Sequence, residues 1–294
     1  MSETKRYKLT VAYDGSAFHG WQKQQPPDQP WPRTVQGELE AAMMKVLRQS
    51  PEVFDLLGAS RTDTGVHAVG QVCHFSSDTT IPVERLSRAI NSRLPRDIDV
   101  RHAEVVHDEF DAIRDATDKQ YRYRIYNTRH RPLGIRHLVH HEWADIEVAP
   151  MQDAAKRLIG THDVEGFAAA AHGRTTTVRT IHNCHVEEHP LSVGSGESTA
   201  LSNADLPDGA HVTSAGREIH VVISGSGFLY NMVRIVAGTL LDVGMGRMPP
   251  ERIDEILATQ NRQIAGPTLP PNGLCLEWVK YGNKEPRMDA DARG

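Results

Sequence analysis

The chain has 294 residues, 39% of them apolar and 24% charged, a balance that excludes intrinsic disorder overall and can fill the cores of two domains of ~150 residues each. Its 33 Lys and Arg against 38 Asp and Glu leave a net charge of −5, a total that argues weakly against a nucleic-acid partner. The three cysteines are far apart and form no C-x-x-C pair, which excludes a disulfide framework or a cysteine zinc knuckle.

No apolar run follows the basic residues of the N-terminal MSETKRYKLTVAYDG, and no stretch approaches ~18 uncharged apolar residues. The expectation is therefore a protein without signal or membrane span, located in the cytoplasm. The charge is uneven. Six basic residues and no acid lie between Lys119 and His141, whereas Leu138–Glu218 holds 12 acids and 5 bases. Phosphate binding depends on the local field rather than on the total, so a basic cleft stays compatible with an acidic chain. For the basic run alone, a solvated strand face is the simpler reading.

In chain order, Arg6–Asp14 alternates Tyr7, Leu9, Val11 and Tyr13 with polar or small residues, the period of a half-buried strand. A Pro-rich loop follows at 25–33. Thr34 can cap a helix carrying Val35, Leu39, Met43, Val46 and Leu47. Val53–Ala59 and Gly70–Ser76 read as strands around the loop Ser60–Val69. Pro82 opens a helix with Leu86, Ile90 and Leu94 on one face, and Ile98–Val106 is a further strand. The second half repeats the order. Lys119–Asn127 is a strand, Pro150–Gly160 a helix, Val178–Glu188 and Gly216–Ser224 strands, Phe228–Val243 and Pro250–Thr259 helices, and Leu274–Tyr281 a closing strand. Two β-α-β-β-α-β halves, 1–115 and 116–282, point to an α+β architecture of paired ferredoxin-like units. Leu191–Ala215 reads as a long hairpin insertion, and 283–294 as a disordered tail.

Two motifs invite peptidase chemistry. His185-Val186-Glu187-Glu188-His189 matches H-x-x-E-H, but on a strand residues four apart lie about 13 Å away from each other, too far to share a metal. Asp63-Thr64-Gly65 matches the D-T-G of aspartic peptidases, which need two such aspartates; one copy is present. A wider window on that loop, Ser60-Arg61-Thr62-Asp63-Thr64-Gly65-Val66-His67-Ala68, sets an arginine two residues from an aspartate between two apolar strands. A neighbouring guanidinium favours the ionised carboxylate that a nucleophile requires. Taken alone, the same aspartate would serve a turn by accepting backbone N–H groups.

Several further stretches occur together and in order: Tyr13-Asp14-Gly15-Ser16, Gly20-Trp21-Gln22, Thr34-Val35-Gln36, Ala89-Ile90-Asn91, Tyr121-Arg122-Tyr123, Arg179-Thr180-Ile181, Met232-Val233-Arg234 and Gly273-Leu274-Cys275-Leu276. With the Asp63 loop they make the chain, over roughly residues 5–282, resemble the A family of bacterial tRNA pseudouridine synthases. The resemblance implies a pseudouridine synthase fold with a mostly antiparallel sheet and a catalytic cleft between the halves. It also implies isomerisation of uridine to pseudouridine at positions 38, 39 and 40 of the tRNA anticodon stem-loop, by a homodimer. Asp63 would be the nucleophile, Tyr121 the residue stacking on uracil, and Arg234 the basic partner of Asp63. Arg61 would contact the substrate backbone and Leu276 would pack beneath Tyr121. Neither a metal nor a cofactor is expected, because the isomerisation involves no redox change. Whether Asp63 attacks C6 of uracil or C1′ of ribose is left open, as is the final base, for which Tyr121 and Asp63 are candidates. Singly, Tyr121 would pass as a half-buried strand tyrosine and Arg234 as a snorkelling helix residue. The chain departs from the family in having Ser60 and Thr64 where Gly and Ala are usual. It also reads Phe110-Asp111-Ala112-Ile113 before Arg114 where Phe-His-Ala-Arg is frequent.

Overall fold

A computed structural model describes residues 3–24, 31–50, 54–169, 176–191 and 216–282. Most of the Pro-rich loop, all but the first residue of the 191–215 insertion, and the 283–294 tail lie outside the described residues. Strand β1 (Lys5–Tyr13) buries Tyr7, Leu9, Val11 and Tyr13, as their alternation requires. Helix α1 (Val35–Leu47) begins where the Thr34 hydroxyl accepts the Gly37 N–H at 3.2 Å. After the two-residue β2 (Leu57–Gly58) come β3 (His67–Ser77), α2 (Val83–Asn91) and β4 (Ile98–Val106). The second half contains β5 (Ala116–Asn127), β6 (His140–Glu142), α3 (Val148–Arg157), β7 (Gly160–Asp163), β8 (Val178–Pro190), β9 (Arg217–Gly225), α4 (Met232–Gly244), α5 (Arg252–Thr259) and β10 (Leu274–Tyr281).

The strands form one sheet in the order β4-β1-β3-β10-β5-β9-β8-β7, with β2 beside β3 and β6 beside β5. Every pairing is antiparallel except β10 with β3 and β5 with β6. The buried apolar side chains of both halves join in one continuous cluster. A smaller cluster of Ala59, Val72, Phe110 and Ala112 lies apart from it.

The seam between the halves positions the site. Strand β10 pairs in parallel with β3 through Cys275 opposite His67 and Leu276 opposite Ala68. Leu276 also lies opposite Tyr121 of β5, and Tyr121 opposite Ile223 of β9. Residues paired in this way project to one face, so Ala68, Leu276, Tyr121 and Ile223 form a buried row across the seam. Gly70 keeps the seam tight: a Cβ there would collide with the Glu277 carbonyl.

Four expectations need correction. Among the described residues the second strand shrinks to Leu57–Gly58, because β1 holds one edge of β3 and β10 takes part of the other. The expected helix at 150–160 ends at Arg157, and Gly160, at φ 130°, instead starts β7. Strands β6 and β7 are too short to show a period. The helix expected from Phe228 begins only at Met232, because Asn231 is left-handed with φ 59° and breaks the helical path.

Candidate active site

Asp63 sits on a loop fastened at both ends. The Thr62 carbonyl accepts the Trp21 N–H at 3.0 Å, and the Thr62 hydroxyl lies 2.7 Å from the Tyr13 hydroxyl. Gln71 clasps the backbone of Ser60, accepting its N–H at 3.2 Å and donating to its carbonyl at 2.6 Å. The turn Asp63-Thr64-Gly65 closes with the Val66 N–H donating to the Asp63 carbonyl at 3.1 Å, and Gly65 takes φ 79°, which glycine adopts freely. His67 anchors the far end: its Nδ1 accepts the Gly15 N–H at 3.1 Å, and its Nε2 donates to the His137 carbonyl at 2.9 Å. Burial lowers the pKa of His67, which favours the neutral ring that this tautomer needs.

The loop is thus held through its backbone, and the Asp63 carboxylate supplies none of these bonds. Among the described residues it accepts no hydrogen bond; its nearest cation is Arg234, with Nη1 3.9 Å from Oδ2. That separates it from a turn-making aspartate such as Asp14, whose Oδ1 accepts the N–H and hydroxyl of Ser16. Burial raises the Asp63 pKa and Arg234 partly offsets the rise. The cation paired with Asp63 is therefore Arg234, not Arg61 as the loop sequence implies. Arg61 is exposed and lines the cleft in front of the loop.

Arg234 is held from α4. Its Nε donates to the Leu269 carbonyl at 2.6 Å and its Nη1 to Asn231 Oδ1 at 2.6 Å. Tyr121 is 7% exposed, and the Phe228 ring meets it edge-on at 5.2 Å and 83°. Burial pushes its phenol up to about 12, the Ser60 hydroxyl opposing and the Asp63 carboxylate reinforcing. The phenol is therefore protonated at neutral pH. Leu276 is fully buried beside Tyr121 and lies outside the cleft lining, which includes Leu274 instead. The cleft has a volume of about 660 Å³ and brings together Asp63, Arg61, Tyr121, Phe228, Lys119 and His19. The periodic reading places Phe228 and Asn231 inside the helix and so misses their position at the cleft. The Gly225-Ser226-Gly227 run just before them is the local signal of a break.

The departure at 110–114 has a structural role. Asp111 Oδ1 accepts the N–H groups of Ile113 and Arg114, both at 2.8 Å, and so holds a turn. Ile113 lines the cleft, while Arg114 pairs with Asp115 at 3.2 Å. The basic run is partly consumed inside the sheet as well. Arg122 bridges Glu277 and Glu187, each at 2.6 Å, and Arg124 binds Glu218 at 2.8 Å. His185 and His189 flank Glu187 from the same strand at 3.0 and 3.1 Å, so the H-x-x-E-H residues line up along β8. Glu187, His189 and His220 have potential ligand atoms within 4.8 Å of one another. The Arg122 guanidinium lies 2.6 Å from Glu187 and 2.9 Å from His220 Nδ1, and supplies the positive charge there.

A family model described as tRNA pseudouridine synthase matches residues 9–113 and 154–282. The chain belongs to that family. A tRNA pseudouridine synthase A of Bacillus subtilis (strain 168) is 41% identical over 278 residues, 95% of this chain and 100% of the relative. The protein named tRNA pseudouridine synthase A 2 of Clostridium perfringens is 37% identical over 277 residues, 94% of this chain and all of its own length. Pseudouridine synthases are isomerases, and this chain is one of them. Among the described residues no helix is long and apolar enough to cross a membrane.

Proposed function

We propose that this pseudouridine synthase isomerises uridines 38, 39 and 40 of the tRNA anticodon stem-loop, with Asp63 as nucleophile. The observation that carries the reading is a desolvated carboxylate with no hydrogen bond among the described residues, beside a guanidinium 3.9 Å away. A carboxylate saturated by donors would be a poor nucleophile. This one is kept near an arginine that stabilises its charge and leaves its lone pairs facing the cleft.

The reaction breaks the N1–C1′ bond, turns the uracil and forms C5–C1′, with one proton leaving carbon and one added at N1. Reactant and product are isomers, so no oxidant, reductant or hydrolysed nucleotide enters the balance. The target base leaves its stack at a cost of a few kcal/mol. Contact with Tyr121, whose ring Phe228 braces and beside which Leu276 packs, returns about 1–3 kcal/mol of it. With its phenol held protonated, Tyr121 serves as a hydrogen-bond donor to the base, and the departing carbon-bound proton passes to the Asp63 carboxylate. Arg61, at the mouth of the cleft, contacts the RNA backbone.

Residues 1–115 and 116–282 are read as two ferredoxin-like halves, a reading supported by matching strand orders, β4-β1-β3-β2 and β10-β5-β9-β8. The working form is a homodimer in the cytoplasm, with one anticodon arm spanning both subunits. Chemical mapping of pseudouridine in unmodified tRNA transcripts tests the proposal. Modification in the anticodon arm with wild type and none with Asp63→Ala is expected. Modification elsewhere, or equal modification by the variant, refutes it.

A further inference from the structure

A serine in a loop ordinarily spends its hydroxyl on nearby backbone. Among the described residues Ser60 does otherwise. Fully buried Gln71 already takes both of its backbone groups, accepting the N–H at 3.2 Å and donating to the carbonyl at 2.6 Å. Lys119 lies on β5 two residues before Tyr121, on the same face of the strand. Its Nζ donates to the carbonyl of Ala59, next to Ser60, at 2.6 Å. These ties hold buried Ser60 against β5, and its hydroxyl hydrogen-bonds the Tyr121 phenol where both residues line the cleft. Burial disfavours the Tyr121 phenolate, and the Ser60 hydroxyl works against that effect. A hydroxyl does so by donating to the phenol oxygen.

We propose that Ser60 is a positioning residue whose hydroxyl donates to the Tyr121 oxygen and so aims the phenol's own proton into the cleft, toward the uracil. The inference rests on the reading of Tyr121 as the residue that contacts the base. A phenol carries one proton and can accept as well as donate. With Ser60 donating on one side and the edge-on Phe228 ring packed against another, that proton is directed to the cleft. The chain Ser60 to Tyr121 to base is cooperative, because an oxygen that accepts a hydrogen bond becomes a stronger donor through its own O–H. Gln71 serves the same end at one remove, since it fixes the backbone from which the Ser60 hydroxyl projects.

A double-mutant cycle separates this role from support of the loop. Single-turnover pseudouridine formation on a tRNA transcript is measured with full-length wild type, Ser60→Ala, Tyr121→Phe and the double variant. In parallel, wild type and Ser60→Ala are labelled with ¹³C at tyrosine Cζ, the carbon bearing the hydroxyl, and the Tyr121 signal is assigned with Tyr121→Phe. Ser60→Ala is expected to lose about fivefold in rate, with RNA affinity within about twofold of wild type. In the Tyr121→Phe background the same change should cost nothing further. The Tyr121 signal of Ser60→Ala should move at neutral pH. That of Tyr13, whose hydroxyl is tied at 2.7 Å to Thr62 on the same loop, should stay in place. Losses that multiply across the two variants, an unmoved Tyr121 signal, or Tyr121 and Tyr13 signals that move together as a distorted loop would make them, overturn the proposal. A Tyr121 signal that moves alone in a protein whose wild type forms no pseudouridine upholds the orientation of the phenol by Ser60 and refutes the uridine reading instead.

Discussion

Two acidic side chains, one on a strand of the sheet and one on the loop at its seam, show how environment divides structural from reactive carboxylates. Glu187, on the polar face of β8, accepts from Arg122 at 2.6 Å, His185 at 3.0 Å and His189 at 3.1 Å. Its pKa is brought down to about 2, those donors outweighing the burial that opposes them. Asp63, at the seam, has one cation at 3.9 Å and a raised pKa. By linkage, a raised carboxylate pKa makes the ionised group a liability for the fold at neutral pH, whereas a lowered one makes it an asset. The fold supports Asp63 through the backbone of its loop and leaves the carboxylate under-satisfied, as expected where function rather than stability selects a side chain.

The strongest way to break this contrast is to neutralise the seam carboxylate. Asp63→Asn should reduce pseudouridine formation by about 10³-fold or more, leave tRNA affinity nearly unchanged, and leave melting temperature level or slightly raised. A gel-shift titration beside a thermal melt checks the division; weakened binding or a lower melting temperature would place Asp63 in the scaffold. Next in size is Arg234→Ala, at about 10²-fold in single-turnover rate. Arg234 is the one influence opposing desolvation at Asp63. Its loss should raise the carboxyl pKa further and shift the acid limb of the pH–rate profile to higher pH. An unmoved limb, measured where chemistry limits the rate, would disprove the pairing. Tyr121→Phe keeps the ring and the Phe228 contact but removes the hydroxyl. A loss of about tenfold fits a hydrogen-bond donor, and an unchanged single-turnover rate would remove that role.

What could be read from the sequence divides along similar lines. Local chemistry was legible: the Thr34 cap, the alternation of β1 and the limits of β4 and β10 depend on near neighbours. The family motifs led to Asp63, Tyr121 and Arg234, which the seam brings together. Arrangements set by distant pairing were not legible from local chemistry. The cation facing Asp63, 171 residues away at position 234, was supplied by the family resemblance alone, whereas Arg61, two residues off and the cation the loop itself offers, lines the open cleft. The apolar period of 228–243 runs straight through the left-handed Asn231, so hydrophobicity alone could not show the helix starting late and freeing Phe228 to meet Tyr121. The basic run of β5 read as an exposed charge. Only the register with β8, β9 and β10 reveals that Arg122 and Arg124 face Glu187, Glu277 and Glu218.

The smallest expected effect lies at the saturated end of the comparison. Glu187→Gln removes the carboxylate from Arg122, His185 and His189 while keeping a polar side chain of the same length. Its side chain is 33% exposed, so solvent screening cuts the stabilisation implied by the lowered pKa to about 1–2 kcal/mol. The sign follows from the direction of the shift. A depressed carboxylate stabilises the fold fully above its unfolded value of about 4.5, and that contribution disappears as the pH falls through about 2. The gap in melting temperature between wild type and Glu187→Gln should therefore be widest near neutral pH, shrink below pH 4.5, and narrow in high salt. Pseudouridine formation at pH 7 should be unchanged, because Arg122 and the Asp63 cleft draw on different faces of β5. A loss of activity without a loss of stability would mean that the charge ladder reaches the seam, and that the two carboxylates are not independent.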